Sequence, residues 1–192
     1  MATNVIHKFQ SGFRHQHSCQ TALIHLVDDS LRSIDSGQYA GAVVLELSKA
    51  LDLVDHRVLL HKLKLYHFTP KTTALLTSYL SERTHVVKGD NLTSFSHTVS
   101  SGVPQGSIIR PLLFILNIND LPMTVSGCGI DLYADDSILY KAHKDHSVVQ
   151  QTLQTNLDTV NNWCTINNMS LNPAKTKCMV LATPYKHQSF RK

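Results

Sequence analysis

The stretch Ile130-Asp131-Leu132-Tyr133-Ala134-Asp135-Asp136-Ser137-Ile138-Leu139-Tyr140 decides the architecture. Ile130, Leu132 and Ala134 alternate with Asp131 and Tyr133, and beyond Asp135-Asp136 the apolar positions resume at Ile138 and Tyr140. A two-residue period on both sides of a polar break predicts two strands joined by a turn, with two carboxylates at the hairpin tip. Taken alone, an Asp-Asp pair is more commonly just a solvated turn. Its neighbours along the chain decide between the two readings.

Upstream, residues 42–47 form a short apolar run rich in β-branched residues, read as a buried strand that ends in an acid, Glu46. Ahead of it, Ser18 caps a helix over residues 21–34, whose Leu23, Val27, Leu31 and Ile34 make one face apolar before Gly37 stops it. After the strand, Asp55 opens a helix carrying Leu59, Leu63 and Tyr66, and Thr69-Pro70 opens another carrying Leu75, Leu76, Tyr79 and Leu80. Polar alternation over residues 86–100 around Gly89-Asp90-Asn91 predicts an exposed hairpin. The loop Gly102-Val103-Pro104-Gln105-Gly106-Ser107 leads into an apolar helix to about Asn119, with Pro111 in its first turn. Ser147 precedes a long amphipathic helix marked by Val149, Leu153, Leu157, Val160 and Cys164. A last strand runs over residues 178–181, and residues 184–192 carry no pattern and read as a frayed tail. Trp163, Phe114 and Tyr79 fall at helical spacing among Leu and Ile, which favours core packing over base stacking.

At 192 residues the length predicts one domain, or one domain with truncated neighbours, and 42% hydrophobic against 17% charged residues exclude a disordered or collagen-like protein. A net charge of +4 accommodates a polyanionic partner without demanding one. The four cysteines are far apart and the first ten residues lack the apolar run of a signal peptide, which points to a reduced, intracellular chain in cytoplasm or nucleus. The most apolar stretch, residues 108–118, is interrupted by Arg110, Pro111 and Asn117 and is shorter than the roughly 20 residues of a membrane span, so no membrane partner is expected. His15 with His17, or His143 with His146, lack the further ligands that zinc requires at usual spacing.

Acids at a strand end and at a hairpin tip converge if the strands neighbour each other, and Mg²⁺ suits such an oxygen-donor cluster. Two such ions can clamp the attacking and leaving oxygens of an in-line phosphoryl displacement. The order of the segments resembles the reverse transcriptase of non-LTR (LINE-type) retrotransposons. Gln10-Ser11-Gly12-Phe13-Arg14 is similar to that family's Q-x-G-F-R segment, and Val44-Leu45-Glu46-Leu47-Ser48-Lys49-Ala50-Leu51-Asp52 to its motif A. Gly102-Val103-Pro104-Gln105-Gly106-Ser107 is similar to motif B, Tyr133-Ala134-Asp135-Asp136 to motif C, and Leu171-Asn172-Pro173-Ala174-Lys175-Thr176-Lys177 to motif D. These segments occur in family order over most of the chain.

The resemblance implies an α+β polymerase palm, a small antiparallel sheet backed by helices, over residues 41–183. A fingers remnant would occupy residues 1–40, with no thumb. It implies a palm in which Glu46, Asp135 and Asp136 hold two Mg²⁺ ions, or Mn²⁺ in their place. Lys175 would put a positive charge near the phosphates, as a donor or proton source. Leu51 and the backbone of Gly102, Val103, Pro104, Gln105 and Gly106 would lie against the incoming dNTP and the template, since glycine lets a backbone approach closely. Arg14 would touch nucleic-acid backbone. The implied partners are an RNA template and a DNA primer, held tightly only with fingers and thumb that this stretch does not supply.

Three positions depart from the family pattern. Glu46 stands for Asp, and its extra methylene shifts the carboxylate by about an ångström where metal sites are specified to about ±0.2 Å. Leu51 replaces an aromatic residue that tests for the ribose 2′-hydroxyl, which loosens sugar discrimination. Arg110 replaces Gly before Pro111, a proline that biases it toward extended geometry. Two functional readings therefore stand: an RNA-directed DNA polymerase palm, and a palm that binds nucleic acid without catalysis. A palm-like nucleotide cyclase shares the acidic hairpin but leaves motifs B and D unexplained.

Overall fold

In the computed structural model, which describes residues 5–90 and 92–183, the apolar run around Val43 and Leu45 becomes the central strand of the sheet. Strand β1 (Tyr39–Glu46) is paired antiparallel on one side with β5 (Asp136–His143) and on the other with β6 (Lys177–Leu181). Strand β4 (Gly129–Tyr133) adds to the outer side of β5, giving the order β4-β5-β1-β6. Ala40, Ala42, Val43 and Leu45 are buried, as expected of a central strand that is covered rather than edge-exposed.

Two helices lie on this sheet. Helix α5 (His146–Ile166) packs across β5 and β1 and buries Val149, Leu153, Val160 and Trp163. Its cap is Asp145, whose carboxylate accepts from the Ser147 N–H at 2.8 Å, and Ser147, read from the sequence as preceding the helix, lies within its first turn. Aspartate and serine are nearly equal caps, and the acid is the one that also complements the helix dipole. Asn156 of α5 is buried and grips Ser126 twice, accepting from its N–H at 2.9 Å and donating to its carbonyl at 2.8 Å. Helix α1 (Cys19–Asp35) begins at Ser18 with a reciprocal Ser18–Thr21 capping box. Most of its expected apolar face does not become core: Leu23, Val27 and Leu31 are 53%, 51% and 54% exposed, while Ile34 is partly covered. The row that is partly covered, Ala22, Leu26 and Ser30, lies one position back around the helix, where α1 meets β1, β4 and β5.

The described chain divides into two compact units, one made of the chain up to Ser48 and from Ile118 on, the other of Lys49–Asn117. The second unit is built from α2 (His56–Leu65), α3 (Pro70–Leu80) and α4 (Arg110–Asn117), with a small hairpin of β2 (Thr84–His85) and β3 (His97–Thr98). Asp55 and Thr69 cap α2 and α3 as expected. Leu59, Leu63, Leu80, Leu113, Phe114 and Leu116 form its core, and the Lys62 ammonium, itself buried, donates to the Asn117 carbonyl at the end of α4. Trp163 and Phe114 are thus core residues of their units, while Tyr79 is half-buried and donates its phenol to Ser107 Oγ at 2.6 Å. The tail over residues 184–192 lies outside the described residues. No helix among the described residues is long and apolar enough to cross a membrane.

Candidate active site

The acidic hairpin is present, with its turn shifted by one residue. Tyr133 pairs with Asp136, so the loop residues are Ala134 and Asp135, and Asp136 is the first residue of β5 rather than part of the turn. Alternation could not show this, because it counts Ala134 as a strand position. Its φ of +57° is instead the left-handed geometry that the first residue of a tight hairpin loop needs. The consequence is chemical. As a strand residue, Asp136 stands directly opposite Glu46 in the β1–β5 register.

Side chains at directly opposite positions of an antiparallel pair have Cβ atoms about 4.5–5.5 Å apart, and like charges there repel. The Asp136 carboxyl is accordingly pushed above the usual carboxylate range, first by partial burial and then by the negative charges of Asp135 and Glu46, against which Lys175 pulls it down. Lys175 Nζ donates to Glu46 Oε1 at 2.6 Å. That hydrogen bond, followed by the charge of Glu46, raises the lysine. The motif D turn is brought here by backbone: the Asn172 N–H donates to the Glu46 carbonyl at 2.8 Å, and Ser48 N–H to Ser170 at 2.8 Å. Glu46, Asp135, Asp136 and Lys175 therefore meet at one end of the sheet.

Three carboxylates face one ammonium at this end, and their hard oxygen donors are the chemistry that Mg²⁺ takes. Among the described residues no three His, Cys, Asp or Glu side chains already converge on one point. A divalent cation at this end would compete with Lys175 for Glu46, an exposed ion pair that is screened by solvent and stabilises little. The donor set fits the ion in chemistry and charge.

Leu51 and motif B belong to the other unit, where they are joined to each other. The Leu51 carbonyl accepts from the Val103 N–H at 3.0 Å and the Val54 carbonyl from Gly102 at 2.8 Å. Gly102 has φ +82°, and a Cβ on it would stand 3.0 Å from the Asp52 carbonyl oxygen, so only glycine suits both the conformation and the approach. Val103 is buried, Pro104 partly so, and Gln105 and Gly106 are exposed. Arg110 is not extended as Pro111 suggested: it is the first residue of α4, and its guanidinium pairs with Asp52 at 3.1 Å. That contact, together with the helical turn, overrides the pre-proline preference.

Arg14 donates from Nη1 to the carbonyls of Gln10 at 2.9 Å and His7 at 3.3 Å. Two residues that the sequence reading did not single out hold the motifs in place. His56 Nε2 bonds the Gly102 carbonyl at 2.7 Å, and since a carbonyl only accepts, that nitrogen carries the proton. Gln10, fully buried, accepts from the Ala134 N–H of the acidic turn at 3.1 Å. Gln10 opens the Q-x-G-F-R segment, so the motif was visible while its task was not.

The family described as reverse transcriptase (RNA-dependent DNA polymerase) matches residues 1–191. The RNA-directed DNA polymerase from mobile element jockey of Drosophila melanogaster is 32% identical over 180 residues, covering 90% of this chain and 20% of that protein. Its counterpart in Drosophila funebris is 34% identical over 182 residues, again 90% of this chain and 20% of the relative. The chain thus spans about 20% of the length of these curated relatives. Among solved structures, telomerase from Candida tropicalis in complex with a TWJ fragment of telomeric RNA superposes with a TM-score of 0.68 at 12% identity, covering 91% of this chain and 31% of that one, a likeness of fold. With its acid-bearing hairpin, its motif order and these relatives, the chain belongs to the reverse transcriptase family, in its non-LTR retrotransposon branch.

Proposed function

We propose that this chain is the palm of an RNA-directed DNA polymerase, adding dNTPs to the 3′-hydroxyl of a DNA primer on an RNA template. The observation that carries the reading is the register of β1 and β5, which sets Glu46 opposite Asp136 beside the Asp135 turn. Glu46, Asp135 and Asp136 would hold Mg²⁺, or Mn²⁺ in its place, as a pair of ions; bound there, the metal supplies Lewis-acid polarisation of the phosphoryl oxygens and of the primer hydroxyl. The chain's own part is to gather negative charge at one sheet end and to keep Lys175 within reach as a cation for the triphosphate or a proton donor to the leaving group. Leu51 and residues 102–106 are assigned to nucleotide and template by their match to the family motifs, and Arg14 to nucleic-acid backbone.

A second reading, a palm that binds nucleic acid without catalysis, is favoured by one observation: Glu46, in the family's Asp position, is already paired with Lys175 at 2.6 Å. Primer extension on a primed RNA template with dNTPs and Mg²⁺ separates the two. Extension that Asp135→Ala removes supports the polymerase, and Glu46→Asp is expected to raise its rate. Failure of all three chains to extend, with the template still bound, supports the silent palm.

A further inference from the structure

We propose that Gln10 is a positioning residue for Asp135, its side-chain carbonyl fixing the turn from which that carboxylate projects. The assignment rests on the reading of Asp135 as a metal ligand. Gln10 is 0% exposed, and its Oε1 accepts from two backbone groups, Gly12 N–H at 2.7 Å and Ala134 N–H at 3.1 Å. Two N–H groups facing one atom require that atom to be oxygen, which settles the orientation of the amide. Ala134 is itself buried and left-handed, a conformation that a residue with a Cβ keeps only where its surroundings impose it. Without Gln10 its N–H would be buried and unsatisfied as well.

The segment that carries Gln10 is anchored for this task. The Leu132 N–H donates to the Phe9 carbonyl at 2.9 Å and the Ser11 N–H to the Leu132 carbonyl at 2.8 Å, so residues 9–11 run along β4 as a short parallel pairing. Farther back, Asn119 accepts from the His7 N–H at 2.7 Å and donates to the Val5 carbonyl at 2.8 Å. Arg14 closes the same segment from its other end through the His7 and Gln10 carbonyls. Gly12 presses directly on the turn: a Cβ there would stand 2.3 Å from the Ala134 nitrogen. The Q-x-G-F-R segment thus acts as a strap on the acidic turn, Gln10 by hydrogen bond and Gly12 by contact.

The Gln10 Nε2 makes no hydrogen bond among the described residues, so Gln10→Glu keeps both accepted bonds while Gln10→Met, of similar size, loses them. Three quantities are to be measured on these chains and on Asp135→Asn: exchange of the Ala134 amide without metal, Mn²⁺ affinity, and the kcat and KM of extension. Gln10→Met is expected to speed Ala134 exchange and weaken Mn²⁺ binding, each at least tenfold, and to lower kcat with the dNTP KM unchanged. Exchange in α5 should not change, and Gln10→Glu should restore Mn²⁺ affinity. If Gln10→Met does not fold, Gln10→Asn, which withdraws the carbonyl by one methylene, carries the same expectation more mildly. Wild-type Mn²⁺ affinity in Gln10→Met or Gln10→Asn, with Asp135→Asn impaired, overturns the positioning role and leaves the metal site standing. Mn²⁺ binding indifferent to Asp135→Asn overturns the metal reading, and the positioning role falls with it.

Discussion

Two hairpins of this chain are built from similar alternation and end up unlike each other. The β2–β3 hairpin is exposed along its length, with Val87, Leu92 and Phe95 at 67%, 81% and 91%, and it is held by its own bonds, such as Ser94 N–H to the Val87 carbonyl at 2.9 Å. The β4–β5 hairpin is inserted between β1 and a strap of residues 9–11, with Ile130, Leu132 and Leu139 at 2%, 1% and 0% exposed. An isolated two-stranded hairpin is marginal in water, so its tip can be placed accurately only by neighbours. That is where the acids are. A hairpin becomes fit for chemistry through what it is packed against, here Glu46 on one side and Gln10 on the other.

Substitutions in the two hairpins are expected to differ widely in effect. The largest effect is expected at the clamped tip, where Asp135→Ala should lower any primer extension by more than about a hundredfold, since even about 1 Å of misplacement at such a site costs that much. Extension that survives in this variant would remove the tip from the chemistry. Next, Leu132→Ala in the stem should cost about 2–5 kcal/mol in a denaturant titration, as for other buried leucines; a loss under about 1 kcal/mol would mean the stem is as loosely held as β2–β3. A smaller effect comes from charge. The Asp136 carboxyl is raised in the folded state, so the fold binds its proton more tightly than the unfolded chain and loses that stability as pH rises through the folded value. Asp136→Asn should therefore raise the melting temperature at pH 7 in chelator and have no such effect near pH 3. An equal rise at both pH values would assign the gain to something other than charge. Least of all, Phe95→Ser on the exposed hairpin should shift stability by no more than about 0.5 kcal/mol, and a larger loss would show that this hairpin is covered.

Periodicity in the sequence was enough for β1, for the capped helices α2 and α3, and for the placing of Glu46 at a strand end, because each is a local pattern with its own punctuation. It misplaced the turn by one residue, since nothing in the letters distinguishes a strand alanine from one at φ +57°. It chose the wrong row of α1 because the stripe Leu23, Val27, Leu31 is more apolar than Ala22, Leu26, Ser30, which the sheet in fact meets. The contacts that assemble the site span the chain, Lys175 to Glu46 over 129 residues and Gln10 to Ala134 over 124, and no local pattern records a bond of that length. The motifs flagged the participants, while their register and partners required the fold.

If the acidic end of the sheet is a divalent-cation site, thermal unfolding with and without Mg²⁺ reads it out. A ligand that binds the folded state alone stabilises it by mass action. The melting temperature is expected to climb with Mg²⁺ in the wild-type chain and to stay flat in Asp135→Asn. The same climb in both chains, or none in the wild type, would contradict it.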